Sequence, residues 1–147
     1  MLDIKSNLIK HFFLPFADKT MKTEVASFYK QIKLMQEWTA EDIIKWQNNN
    51  FQELIKHAYN QTVYYNKVFK KYGLTPSDFV TPSDLKKLPI LTKKDIRENF
   101  NNLIPGNINE IPFLKSSTGG STGEPAIFYS DKKLWSYTVA NTIFNWE

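Results

Sequence analysis

From Thr23 onward the apolar residues recur at helical spacing. Val25, Phe28, Ile32 and Met35 fall three or four apart, which predicts an amphipathic helix ending near Trp38. A second helix follows at once. Thr39 with Asp42 forms its N-terminal cap, and Ile43, Ile44, Gln47, Phe51, Leu54, Ile55 and Ala58 trace its buried stripe. Asn48, Asn49 and Asn50 form a small polar patch on its surface. A third helix runs from about Val63 to Tyr72, where Gly73 supplies a left-handed stop. Ahead of these, Leu2, Ile4, Leu8, Ile9, Phe12, Phe13, Leu14 and Phe16 are interrupted by Lys5, Asn7, Lys10 and His11. This stretch lacks the unbroken apolar centre and small-residue cleavage pattern of a secretory signal. Its apolar residues are expected to pack on the rest of a larger protein rather than to lie in a membrane interface.

The texture then changes. Thr75-Pro76, Thr81-Pro82 and Thr92-Lys93 are three short cap-like starts, the first two with proline at the first helical position. Leu88-Pro89-Ile90 must run extended, because proline disfavours helix in the residue before it. A short helix from Lys93 to about Asn101 is expected next, and Pro105-Gly106 breaks the chain. Beyond the break, Ile111 to Lys115 and Ala126 to Tyr129 read as strands. Ser130 or Asp131 caps a final helix carrying Leu134, Trp135, Thr138, Thr142 and Phe144. The expected fold is therefore α/β and incomplete. A mostly helical region, 1–106, leads into the first strands of a larger mixed sheet, 107–147, with no internal repeat.

Composition narrows the classes of function. The chain has 147 residues, 41% of them hydrophobic and 15% aromatic, which is enough apolar surface for one core. Cysteine is absent, which excludes disulfides and thiolate metal sites and fits a reducing, cytoplasmic compartment. The formal charge of +4 divides into +5 before Asn107 and −1 from there on. A single arginine, Arg97, and dispersed lysines do not make a phosphate-tracking groove, so nucleic-acid binding is not indicated. No apolar run reaches transmembrane length. His11 and His57, the only histidines, lie far apart with no spaced carboxylate cluster and form no metal motif.

The chemistry concentrates between the two expected strands, where Ser116 to Pro125 reads Ser-Ser-Thr-Gly-Gly-Ser-Thr-Gly-Glu-Pro. Gly119, Gly120 and Gly123 let the backbone turn several N–H groups toward one point, and the hydroxyls of Ser117, Thr118, Ser121 and Thr122 add donors for anionic oxygens. The same composition also makes ordinary turns and linkers. A Walker A loop is excluded, because Gly123 is followed by Glu124-Pro125 rather than by Lys-Ser/Thr. The dinucleotide fingerprint and its helix are missing as well. Ser117 and Ser121 are not nucleophiles of the elbow type, since Gly-x-Ser-x-Gly is absent, and phosphate contact is the better role. Lys115, just before the loop, reads as a solvated strand-end lysine.

A strand–loop–strand with this composition resembles the adenylate-forming (AMP-forming acyl-activating) superfamily. The nearest branch is that of phenylacetate-CoA ligases and CapK-like capsular polysaccharide biosynthesis proteins, whose Ser-Thr-Gly-Gly-Ser/Thr-Thr-Gly-x-Pro loop is matched from Ser117 through Pro125. Trp46-Gln47, His57-Ala58-Tyr59-Asn60, Tyr64-Tyr65, Asp84-Leu85 and Leu88-Pro89-Ile90-Leu91-Thr92-Lys93 also resemble that branch, so the likeness runs from about Trp38 onward. Two departures stand out. Many acyl-CoA synthetases carry lysine after the loop's proline, where this chain has Ala126, and proteins of the family continue far beyond the loop, whereas this chain ends at Glu147. The resemblance implies the opening part of a ligase that uses ATP, Mg²⁺ carried by the nucleotide, and a small carboxylate, with CoA as an acceptor in the parent enzyme. It implies a triphosphate site at Ser117, Thr118, Gly119, Gly120, Ser121, Thr122 and Gly123, with no catalytic side chain in the segment. The remainder of the enzyme, or self-association, is then expected to complete the fold. The rival reading is a truncated, non-catalytic helical interaction module.

Overall fold

A computed structural model describes residues 12–118, 125 and 127–146. Seven α-helices are defined within them: α1 (Leu14–Met21), α2 (Val25–Met35), α3 (Ala40–Gln61), α4 (Val63–Lys71), α5 (Lys93–Glu98), α6 (Phe100–Leu103) and α7 (Lys132–Asn145). Short 3-10 turns occupy Pro76–Asp78, Pro82–Lys87 and Ile108–Glu110. The strands β1 (Phe113–Ser117) and β2 (Ile127–Asp131) pair as a two-stranded antiparallel sheet. The chain is thus mostly helical with a small sheet. Its contacts divide it into two units, one of residues 1–38, 112–114 and 130–147 and one of residues 39–111 and 115–129.

In the first unit α2 packs against α7 around Val25, Tyr29, Ile32 and Ala140, with Leu14, Phe28 and Tyr137 at the margin. Phe28 and Tyr137 meet edge to face, ring centroids 5.6 Å apart. Asp18 on α1 caps α2 across the intervening turn: its carboxylate accepts from the backbone N–H of Val25 (2.9 Å) and Ala26 (2.8 Å) and from the Thr23 hydroxyl (2.7 Å). The fully buried Ser136 hydroxyl accepts from the Glu24 N–H at 3.1 Å and donates to the Lys132 carbonyl at 2.7 Å. The buried positions of α7 are therefore Ser136 and Ala140, small residues one turn apart that allow a close approach. Leu134, one of the large residues expected on this helix, is 61% exposed. Of the two residues weighed as its cap, Asp131 serves, accepting from the Lys133 N–H at 2.8 Å.

The second unit is built on α3 and α4. Thr62 joins them, donating to the Ala58 carbonyl at 2.7 Å and accepting from the Tyr65 N–H at 3.3 Å, so one side chain closes one helix and opens the next. The stripe of α3 is narrower than its sequence pattern. Phe51 and Ile55 are buried, whereas Ile44 and Leu54 are 56% and 64% exposed. Phe51 and Ile55 pack with Phe69 and Phe79, and Phe69 stacks on Phe79 at 4.9 Å and on Tyr59 at 5.4 Å. α4 ends as its sequence predicts. Gly73 has φ +65°, with the Leu74 N–H bonded to the Phe69 carbonyl at 2.9 Å and the Gly73 N–H to Lys70 at 3.2 Å.

Each of the four threonine starts expected from the sequence forms, and at Thr75, Thr81 and Thr92 the structure adds an aspartate three residues on as the partner. In those opened by Thr39 and Thr92, the threonine N–H donates to the aspartate (3.0 and 2.8 Å) and the aspartate N–H to the threonine hydroxyl (3.2 Å in both). At Thr75 and Thr81 the N–H groups donate to Asp78 and Asp84 at 2.7 and 2.9 Å. The first strand begins later than expected, and Ala126, where the second was expected to start, lies outside the described residues. Ile111 closes the turn at Ile108–Glu110, and Pro112 has no N–H to offer a ladder, so pairing starts at Phe113 and carries Ser116 and Ser117 into β1.

Phe69→Ala is expected to lower unfolding free energy by about 3–5 kcal/mol, because a fully buried ring leaves a cavity, as urea denaturation would register. Gly73→Ala meets no atom within 4 Å, so its cost, about 1 kcal/mol, would come only from the left-handed backbone. The four cap carboxyls are all held below the usual carboxylate range: Asp42 and Asp95 chiefly by their threonine hydroxyls, Asp78 by the Thr75 N–H, and Asp84 by Lys87 and then the Thr81 N–H. Depressed folded values stabilise the fold above the unfolded aspartate value of about 4, and that stability is lost as pH falls through the folded values. The urea midpoint should therefore drop on acidification below about pH 4. Asp84→Asn should make that drop shallower, and an unchanged slope would remove the caps as its cause.

Candidate functional site

Within the second unit, β2 and the two short helices α5 and α6 enclose an apolar groove. One hollow of about 240 Å³ is lined by Leu91, Ile96, Phe100, Leu103, Ile104, Pro105, Ile127, Phe128 and Tyr129. A second, of about 190 Å³, shares Ile96, Phe100 and Ile127 with it and adds Arg97 and Pro125. Phe100 and Tyr129 meet across the groove, ring centroids 5.7 Å apart.

The sequence places these residues through local signals. The Thr92–Asp95 box opens α5, and the Asn99 N–H closes it on the Asp95 carbonyl at 2.9 Å. The result is a six-residue helix whose Ile96 faces the groove and whose last turn carries Arg97. Pro105 and Gly106 then turn the chain, and the Gly106 N–H donates to the Gln61 carbonyl at 2.7 Å, satisfying an acceptor at the end of α3. This hydrogen bond anchors the lower edge of the groove to the long helix. Nearby, burial first and the charge of Asp95 second push the Tyr64 hydroxyl above its ordinary value.

Of the residues expected to hold phosphate, Ser117 is the last of β1 and Thr118 follows it, both exposed. Gly119, Gly120, Ser121, Thr122 and Gly123 lie outside the described residues. Pro125, the last residue of the motif, is two positions before Ile127, the first residue of β2, so the paired strands bring the two ends of the motif toward each other. Lys115 lies within β1 and is exposed. Among the described residues no group of three or more His, Asp or Glu side chains stands together to hold a metal, and no helix is long and apolar enough to cross a membrane.

The groove can exclude water, bind an apolar group and present one guanidinium. Among the described residues its lining has no carboxylate or imidazole for proton transfer. No sequence pattern placed Arg97 at a groove. The only signal available was its place in the last turn of a helix with an N-terminal cap, and its proximity to Pro125 arises from the folding of two distant segments.

No protein-family model matches the chain. Curated relatives do. CapK of Staphylococcus aureus is 32% identical over 113 residues, 77% of this chain and 24% of that protein. The phenylacetate-coenzyme A ligase of Escherichia coli is 30% identical over 104 residues, 66% of this chain and 23% of that enzyme. The chain belongs with CapK and the phenylacetate-coenzyme A ligases. The phenylacetate-coenzyme A ligase of Aromatoleum evansii agrees, 30% identical over 96 residues and 21% of its length. The chain therefore spans about a quarter of the length of the curated relatives it matches.

Replacing Asp95 tests how the groove is held. Asp95→Ala removes the acceptor for the Thr92 N–H, so it is expected to fray α5 first. Amide hydrogen exchange should then accelerate at Ile96 and Arg97 while Phe51 and Ile55 keep their protection. Uniform loss of protection would mean that α5 has no separate stability.

Proposed function

We propose that this chain supplies the triphosphate-binding segment of an AMP-forming ligase, which activates a small carboxylate with MgATP and passes the acyl group to CoA. The observation that carries the reading is the Ser117–Pro125 motif, whose two ends emerge from paired strands, in a chain whose relatives include enzymes named phenylacetate-coenzyme A ligase. In such a reaction a carboxylate oxygen attacks the α-phosphorus and magnesium pyrophosphate leaves. The thiol sulfur of CoA then attacks the acyl carbon, AMP leaves, and the thiol proton passes to solvent. The segment's share is positional. Its backbone and hydroxyl donors hold the β- and γ-phosphates in line, and its glycines let it open when pyrophosphate departs.

On this reading residues 107–147 begin the ATP-binding subdomain and residues 1–106 form a helical region beside it. Phe113, Leu114, Ile127 and Phe128 of the two strands are partly exposed, and such a hairpin surface calls for cover by further sheet or by a second copy. The cysteine-free composition matches the ATP-rich, reducing cytoplasm.

Calorimetric titration with MgATP tests the loop. Gly120→Val and Gly123→Val should each weaken binding by about tenfold or more, as loss of a charge-assisted hydrogen bond predicts. Thr122→Val, which removes one hydroxyl and nearly keeps shape, should weaken it by roughly two- to tenfold. Melting temperatures should stay close to the parent's, since loops as a class contribute little to core packing. Parental affinity in all three variants, or loss that merely follows loss of folded protein, would reduce the motif to a hairpin connection.

A further inference from the structure

We draw no further inference here: the strongest candidate, the apolar hollow between α5, α6 and β2 that Ile96, Phe100, Ile127 and Tyr129 help to line, is an unpartnered apolar face, and nothing in the structure shows what covers it.

Discussion

Short helices leave four backbone N–H donors open at each start, and much of this chain is built from short helical pieces. The same answer recurs at Thr39, Thr75, Thr81 and Thr92, where an aspartate three residues on accepts the threonine N–H. Between α4 and β1 there is little sustained amphipathic pattern, so caps rather than packing define where each turn begins. The price is sensitivity to acid, because the acceptors are carboxylates held charged by the bonds they make.

The two units solve their packing differently. One concentrates aromatic rings, with Phe69 and Phe79 almost wholly removed from water and Tyr59 against them, and this supplies much apolar burial from few residues. The other brings helices together over Ser136 and Ala140 and uses polar pins, the Ser136 hydroxyl and the Asp18 carboxylate, to meet backbone donors at the start of α2. A serine in that position gives both a close approach and a partner for an otherwise orphaned N–H.

The groove follows from the same economy. α5 and α6 are too short to bury a continuous stripe, so Ile96, Phe100 and Leu103 meet β2 across a hollow instead of a packed core.

The sequence by itself determined the elements governed by local rules. The caps at Thr39 and Thr92, the left-handed Gly73, the extended Leu88 before Pro89, and the order helix, strand, loop, strand, helix all follow from hydrogen bonds and sterics within a few residues. The relatedness to CapK was legible in the motif for the same reason, since a loop's identity lies in consecutive residues. Which apolar residues are buried was not legible. Ile44 and Leu54 continue the α3 pattern yet face solvent, while α7 turns small Ser136 and Ala140 inward, because periodicity marks a face and only a neighbouring element decides how much of it is covered. Tertiary structure alone set Arg97 and Pro125 on one hollow, since nothing within hydrogen-bonding reach along the chain links a helix end to a distant strand start; folding brings both to the space that Ile96, Phe100 and Ile127 also line.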